Sequence, residues 1–179
     1  IINNDVLNIN FNNIKYNQII VFGNLPYNIS TQILTQLIID YNLIKKFKKF
    51  IFMFQKEVAE RILAETNTKN YGRLSIIANW KLNIKKELSI NPQCFYPRPK
   101  IDSTLLSFVP KKNYLDINNP KNLEHITRIF FNQRRKMLKK PYNQLFNGDQ
   151  KVCNKLKIDL SLRPQNLNLD TYCKLAYEY

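Results

Sequence analysis

Asn24, Pro26 and Tyr27 lie within four consecutive positions and could together act on an aromatic amino group. Such an amino group is a weak nucleophile because its lone pair is delocalised into the ring. Two hydrogen-bond acceptors that hold its hydrogens out of the ring plane would localise that lone pair. Asn24 can supply a side-chain carbonyl, and Pro26 donates no ladder hydrogen bond, which frees backbone carbonyls near it. Tyr27 offers a flat ring on which an extruded base can stack.

Chemistry of this kind depends on positioning and local dipoles, and it needs no general base with an unusual pKa. The same residues also have a structural interpretation: a turn with an Asx hydrogen bond that ends a strand, beside a tyrosine that packs in the core. The predicted strands and helices around residues 24–27 are needed to distinguish the two interpretations.

The segment Ile19–Phe22 is apolar and rich in β-branched residues, which is typical of a buried strand, and it stops at Gly23. Ser30 and Thr31 can then cap a helix. The apolar positions of this helix are Ile33, Leu34, Leu37 and Ile38. In an open α/β sheet, ligands bind just beyond the carboxyl ends of strands. Residues 24–27 would lie at such an end.

A second strand and helix follow in the same order. Residues 50–54 are a continuous apolar run that predicts another buried strand, and the basic segment Lys45–Lys49 before it is predicted to be a turn. A helix is indicated by the spacing of Val58, Ala59, Ile62 and Leu63. This alternation of strand and helix predicts a parallel α/β sheet.

Leu74, Ile77, Ala78 and Leu82 share a helical face, and strands are predicted near 88–90 and over 104–109. The proline-fixed loop 93–103 joins the two strands and predicts an antiparallel pair that closes the sheet. The composition shifts at residues 110–113, so we place a domain boundary between 112 and 113. Domain 1–112 is then α/β, and domain 113–179 is a small all-helical domain.

The helical domain is predicted from three segments. Pro120 can open a helix with an apolar face, and this face consists of Leu123, Ile126, Ile129 and Phe130. Two short helices are expected, one over residues 152–156 and one from Thr171 after an Asp170 cap.

The net charge of +15 favours a polyanionic partner, either nucleic acid or an anionic membrane. Coding bias toward lysine, asparagine and isoleucine is the alternative explanation, although it accounts less easily for the shortage of acids. No apolar run approaches the roughly 20 residues that cross a bilayer, and the first residues do not resemble a signal peptide.

Three widely spaced cysteines and a single histidine argue against a disulfide framework, a metal site and a histidine-dependent triad. A reduced, cytoplasmic setting is expected. The three glycines cannot form a Gly-x-Gly-x-x-Gly loop, so a nucleotide-cradling loop of that kind is excluded within this chain.

Five sequence blocks, in order along the chain, resemble the ribosomal RNA small-subunit adenine dimethyltransferase family. The blocks are Phe22–Ser30, Gln55–Arg61, Tyr71–Ser75, Phe95–Ser103 and Phe131–Lys136. The resemblance implies the C-terminal part of a Rossmann-like methyltransferase sheet, followed by a small helical domain. It also implies S-adenosyl-L-methionine as cofactor and dimethylation of N6 of two adjacent adenosines in the 3′-terminal hairpin of small-subunit rRNA. The implied enzyme is a monomer that acts during maturation of the small ribosomal subunit.

The same resemblance assigns roles to individual residues. Asn24 would contact the methionine end of the cofactor and, with the Pro26 region, hold the target amino group. Tyr27 would stack on the adenine, and Phe95 would close the pocket from another side. Asp5 would lie at the adenine of the cofactor; otherwise it is a solvated loop acid.

Two groups of cations are implied in RNA binding, and a solvated charged face is the alternative. Arg98 and Lys100 flank the Phe95 loop. The second group is Arg134, Arg135 and Lys136, with Lys139 and Lys140 after it.

The family's glycine-rich loop after the first strand, and the acid that grips the ribose after the second, have no counterpart in this sequence. We therefore expect the chain alone to bind cofactor poorly. Two other functions are compatible with the pattern: a large-subunit rRNA adenine methyltransferase, and a catalytically inactive assembly factor of the small subunit.

Overall fold

Four strands form one mixed sheet in the order β1-β2-β4-β3 in the computed structural model, which describes residues 3–39 and 46–179. The strands are β1 (Ile19–Asn24), β2 (Phe47–Gln55), β3 (Leu82–Ile90) and β4 (Ser103–Pro110). The β1–β2 pair is parallel, and β4 is antiparallel to both β2 and β3. The predicted parallel pair and the predicted antiparallel pair are both confirmed.

The strand β1 is less buried than its sequence predicts. Ile20 is 46% exposed and Phe22 is 73% exposed, because β1 stands at one end of the strand order and has only β2 as a neighbour within the described residues. Ile19, Val21 and Gly23 alternate with them and are partly covered. An apolar, β-branched run predicts the strand, but it does not distinguish a central position from an edge.

Aromatic packing on β2 forms much of the core of the sheet. Phe52 and Phe54 each lie 6.0 Å from the ring of Phe108 on β4. Since β2 begins at Phe47, residues 47–49 are part of a strand, and their prediction as a basic turn was wrong. Lys45 lies outside the described residues.

Two helices follow the parallel strands as predicted: α1 (Ser30–Ile39) after β1 and α2 (Lys56–Leu63) after β2. The apolar face predicted for α1 is buried. Ser30 does not cap this helix by accepting an amide hydrogen bond. Its hydroxyl donates to the carbonyl of Tyr27 at 3.1 Å.

Five further helices follow α2: α3 lies just before β3, and the other four come after β4. The helices are α3 (Arg73–Lys81), α4 (Pro120–Asn132), α5 (Lys139–Phe146), α6 (Lys151–Lys155) and α7 (Leu169–Glu178). Leu82, predicted on the face of α3, instead begins β3. Asn168 caps α7 by accepting the amide of Thr171 at 2.9 Å, which corrects the predicted Asp170 cap.

The chain divides into two compact units. We call Ile1–Leu63 with Lys81–Lys112 the pocket unit, and Ala64–Trp80 with Asn113–Tyr179 the helical unit. The break between residues 112 and 113 coincides with the predicted boundary, but residues 64–80 belong to the second unit. Sequence order could not show this, because α3 contacts a helix that comes much later in the chain, as in the 3.8 Å ion pair between Arg73 and Glu124.

Aromatic side chains with paired polar groups form the core of the helical unit. Tyr172 is fully buried, lies 5.8 Å from the ring of Phe130 and donates its hydroxyl to the carbonyl of Pro164 at 2.7 Å. Burial, and to a smaller extent the neighbouring Tyr71, raises the pKa of Tyr172 well above its ordinary value. Trp80 donates its indole N–H to the carbonyl of Leu115 at 2.8 Å.

Candidate functional site

A cavity of about 340 Å³ in the pocket unit collects the residues predicted to act on an amino group. The residues that line it are Asn24, Leu25, Pro26, Tyr27, Met53, Phe95, Tyr96, Pro97 and Pro99. All four predicted catalytic residues, Asn24, Pro26, Tyr27 and Phe95, are among them. Phe95 is separated from the other three by about seventy positions in the sequence, so the fold rather than the local motif brings them together.

The sheet topology explains this meeting. Asn24 pairs with Met53 across the parallel strands β1 and β2, so both strands end at the same edge. The antiparallel strand β4 begins at that edge, where Ser103 pairs with Gln55. The loop before β4, which contains Phe95, must therefore arrive beside the ends of β1 and β2.

Gly23 allows β1 to run into the turn close to β2. A Cβ at this position would lie 2.7 Å from Leu25 Cδ2 and 2.9 Å from Phe52 Cδ1, which is closer than real side chains approach. The absence of a side chain lets Leu25 fold back beside the strand end. Glycine is therefore needed here for space, and its position immediately before Asn24 fixes where the turn begins.

Hydrogen bonds hold the Asn-Leu-Pro-Tyr turn in place. The carbonyl of Pro26 accepts the amide of Ile29 at 3.2 Å, and the carbonyl of Tyr27 accepts the hydroxyl of Ser30. Each oxygen retains a second lone pair. The predicted backbone acceptor near Pro26 would thus be a carbonyl whose direction is already fixed. Asn24, which is exposed, would provide the other acceptor.

Tyr27 lines the cavity, and its side chain is held at the hydroxyl end. The hydroxyl lies 2.7 Å from the Ser103 hydroxyl, and either group can be the donor. The residue is half-buried, so part of its surface is accessible. A stacking surface needs such an accessible aromatic residue.

The Phe95 loop is shaped by local contacts. A short 3₁₀ turn, Pro92–Cys94, precedes Phe95, and the Asn91 side chain caps it by accepting the amide of Gln93 at 2.9 Å. The end of the loop is fixed by Asp102, whose carbonyl accepts the Lys56 amide at 2.9 Å. The Tyr96–Pro97 peptide bond is cis.

Asp5, predicted at the cofactor, is not among the residues that line the cavity. Its carboxylate accepts the amide of Leu7 at 3.0 Å and caps the short 3₁₀ turn Val6–Asn8. The turn is tied to α1 by Gln36, which donates to the carbonyl of Leu7 at 3.0 Å. Asp5 is exposed, and its observed contact is a local cap.

The predicted RNA-binding cations differ in how the structure uses them. Arg98 and Lys100 are exposed in the loop that also contributes Phe95 to the cavity. Arg135 and Lys136 are exposed in the turn after α4. Arg134 is instead engaged within the helical unit: its guanidinium donates to the Gln165 side chain at 3.3 Å, to the Thr68 carbonyl at 3.2 Å and to the Lys69 carbonyl.

Sequence reasoning gave no site role to Met53, which lines the cavity, or to Ser103, which contacts a lining residue. Met53 was assigned only to a buried strand, yet it forms a wall of the cavity. Ser103 was quoted as the last residue of a resembling block, without a role, and it contacts Tyr27. Its position at the start of β4 was the available signal, since that strand begins at the edge where β1 ends.

Within residues 3–39 and 46–179, no group of three or more metal-binding side chains is found. A search of the same residues finds no helix that is long and apolar enough to span a membrane.

The model of the ribosomal RNA adenine dimethylase family matches residues 1–179. The chain belongs to this family. The family assignment made from the five sequence blocks is thereby confirmed.

Two relatives carry the name ribosomal RNA small subunit methyltransferase A. The Pelagibacter ubique protein is 58% identical over 179 residues, which are 100% of this chain and 68% of that protein. The Ehrlichia ruminantium protein is 40% identical over 174 residues, which are 96% of this chain and 64% of that protein. The chain thus spans roughly two thirds of the length of the relatives that it matches.

Solved structures agree with the assigned fold. A dimethyladenosine transferase from Plasmodium falciparum matches with a TM-score of 0.73 and 28% identity, over 89% of this chain and 66% of that one. The 23S rRNA methyltransferase ErmE matches with a TM-score of 0.60 and 14% identity, over 90% of this chain and 65% of that one, and this likeness concerns the fold alone. The predicted α/β, Rossmann-like methyltransferase fold is confirmed.

Proposed function

We propose that this protein supplies the target-base half of an enzyme that dimethylates N6 of two adjacent adenosines in the 3′-terminal hairpin of small-subunit rRNA. The observation that carries the proposal is that Asn24, Pro26, Tyr27 and Phe95 line one cavity at the edge where β1 and β2 end. Family membership and the names of the relatives support the rRNA adenine substrate and the small-subunit assignment.

The reaction depends on making the N6 amino group of adenine nucleophilic. The Asn24 carbonyl and a backbone carbonyl near Pro26 would accept the two amino hydrogens and turn the lone pair out of the ring plane. Stacking on the ring of Tyr27 contributes roughly 1–3 kcal/mol and fixes the plane of the base. Phe95, from the loop before β4, would cover the base and exclude water.

The methyl donor of this family is S-adenosyl-L-methionine, which supplies an electrophilic methyl group when bound. Asn24 lies at the cavity and fits the role of contacting the donor's methionine end. Asp5 remains a candidate for the donor's adenine on sequence grounds, with its carboxylate now known to cap a 3₁₀ turn.

The rRNA would be held by exposed cations around the pocket and on the helical unit. Arg98 and Lys100, in the loop that carries Phe95, and Arg135 and Lys136, in the helical unit, are suited to phosphate contacts. The net charge of +15 supports such a partner. We further propose that the enzyme acts as a monomer in the cytoplasm, on precursors of the small ribosomal subunit.

A chimera tests the proposal. This chain replaces the matching 179 residues of the Pelagibacter ubique relative, and the purified chimera is incubated with undermethylated small subunits and a labelled methyl donor. We expect label in the small-subunit rRNA, at two adjacent adenosines when mapped by mass spectrometry of nuclease fragments. The unaltered relative is the positive control.

Other outcomes would replace the proposal with a different function. Label in large-subunit rRNA alone would indicate the antibiotic-resistance type of methyltransferase. Tight binding to the small subunit without any transfer, while the unaltered relative transfers label, would indicate an assembly factor.

A further inference from the structure

Ser103 is a buried residue next to the candidate site to which the sequence assigned no role. It is the first residue of β4, it is 0% exposed, and its hydroxyl lies 2.7 Å from the hydroxyl of Tyr27, 76 positions away in sequence. Its backbone is fixed on both sides, because it pairs with Gln55 on β2 and with Ile90 on β3. A hydroxyl in such a setting has little freedom to move.

The contact determines how the ring of Tyr27 is held. One end of the residue is fixed through its carbonyl, which accepts from Ser30, and the other end through its hydroxyl at Ser103. Tyr27 lines the cavity together with Asn24. Because a phenol hydroxyl bonds best in the plane of its ring, the contact with Ser103 favours one rotation of the ring, and a base stacked on Tyr27 would take its plane from that ring.

We propose that Ser103 is a positioning residue for methyl transfer: it holds the Tyr27 ring at the angle that presents the target amino group to Asn24. This inference rests on the proposed function. Ser103 does not line the cavity itself and acts only through Tyr27. Its loss would therefore impair the alignment of a bound base more than the capture of the RNA, which depends on cations elsewhere.

The test measures kcat and KM for undermethylated small subunits in the chimera described above. Ser103→Ala should lower kcat about threefold to tenfold, the size expected for one hydrogen bond, with KM for the subunit unchanged. Tyr27→Phe removes the same bond from the other side and should give a similar loss. The double variant should be no worse than either single variant, because both remove one interaction.

A matched control exists in the same strand. Ser107 is also buried in β4, and its hydroxyl donates to Glu87 Oε1 at 2.7 Å, away from Tyr27. Ser107→Ala therefore deletes a bond of the same length from the same strand and should leave kcat unchanged. Ser103→Thr retains the hydroxyl that bonds to Tyr27, so this variant should recover more of the kcat than Ser103→Ala.

Additive losses in the double variant, or equal kcat for Ser103→Ala and Ser107→Ala, would overturn the proposal. A second measurement separates it from the proposed function. An oligoribonucleotide with 2-aminopurine at a target position is quenched when the base stacks, and Ser103→Ala should reduce that quenching at an unchanged dissociation constant. If the unsubstituted chimera quenches the 2-aminopurine fluorescence but transfers no methyl group, only the proposed function is contradicted. If Ser103→Ala quenches the fluorescence as strongly as the unsubstituted chimera, the role of Ser103 is contradicted.

Discussion

The pocket unit and the helical unit use the same residue type in opposite ways. Tyr172 in the helical unit is fully buried, and its hydroxyl satisfies the backbone carbonyl of Pro164. Tyr27 in the pocket unit is half-buried, its hydroxyl bonds to a side chain, Ser103, and the residue lines a cavity. Both hydroxyls are anchored at 2.7 Å, so the difference lies in what the ring faces.

This difference separates residues that stabilise the protein from residues that serve a ligand. A buried ring gains stability from the apolar area it removes from water. A half-buried aromatic residue gains less of that stabilisation. Holding it in one orientation in advance lowers the entropy cost of binding a flat partner. Mutations in the pocket unit should therefore alter methyl transfer more than stability, and mutations in the helical unit should do the reverse.

Asn24→Ala should produce the largest effect on activity. The substitution removes one of the two acceptors for the target amino group, and we expect transfer to fall about a hundredfold or more in the chimera, as for loss of one preorganised polar contact in other enzymes. Binding to the small subunit, measured by filter retention, should be unchanged. Asn28→Ala, an exposed asparagine in the same turn, is the control. Wild-type transfer by the Asn24 variant would refute its role.

Alanine substitutions at two glycines, one in each unit, test whether the close packing at the pocket requires a residue without a side chain. Gly23→Ala places a Cβ 2.7 Å from Leu25 and 2.9 Å from Phe52, and we expect a destabilisation of about 1–3 kcal/mol together with reduced transfer. Gly72→Ala in the helical unit places its Cβ at an ordinary 3.8 Å from Phe131 and should change neither property. Thermal unfolding and a transfer assay measure both. Equal effects of the two substitutions would show that the approach at Gly23 is not required.

The same substitution at the two tyrosines tests the comparison directly. Tyr172→Phe leaves the buried carbonyl of Pro164 without its partner and should cost about 1 kcal/mol, seen as a lower unfolding temperature with transfer retained. Tyr27→Phe should lower transfer, and because it also leaves the buried Ser103 hydroxyl without this partner, the unfolding temperature should fall too, by no more than in Tyr172→Phe. If both variants lose stability alone, Tyr27 is a structural residue and the stacking role fails.

Local patterns predicted most of the pocket unit. Apolar runs and proline placement predicted β1, β2, β4 and the loop before β4, and the four-residue motif predicted that Asn24 lies at the end of β1. What the sequence could not predict depends on contacts between distant segments. The exposure of Phe22, the anchoring of Tyr27 by Ser103, and the assignment of residues 64–80 to the helical unit are of this kind. Burial and pairing between segments far apart in the chain produce no periodic pattern in the local sequence.

Arg134 shows the same limit of prediction from sequence, within a single run of basic residues. By composition it is indistinguishable from Arg135, yet its guanidinium binds carbonyls of residues 68 and 69, whereas Arg135 is exposed. The run therefore divides into a cation that holds the helical unit together and cations that remain available to phosphates. Neighbouring positions in a turn point in different directions, and the sequence does not state which ones face inward.

Substitutions in this run should give the smallest effects and still distinguish the two uses. Arg135→Ala should weaken rRNA binding modestly and lower the slope of log affinity against log salt by about 0.7–0.9, the release of counterions from one phosphate contact. Its unfolding temperature should match that of the parent protein. Arg134→Ala should instead lower the unfolding temperature, because the Lys69 carbonyl loses this donor and the Thr68 carbonyl keeps the Tyr71 amide but loses the guanidinium. An unchanged salt slope for Arg135→Ala, measured between 50 and 200 mM salt, would place this cation on a solvated face and restrict the RNA contacts to the pocket unit.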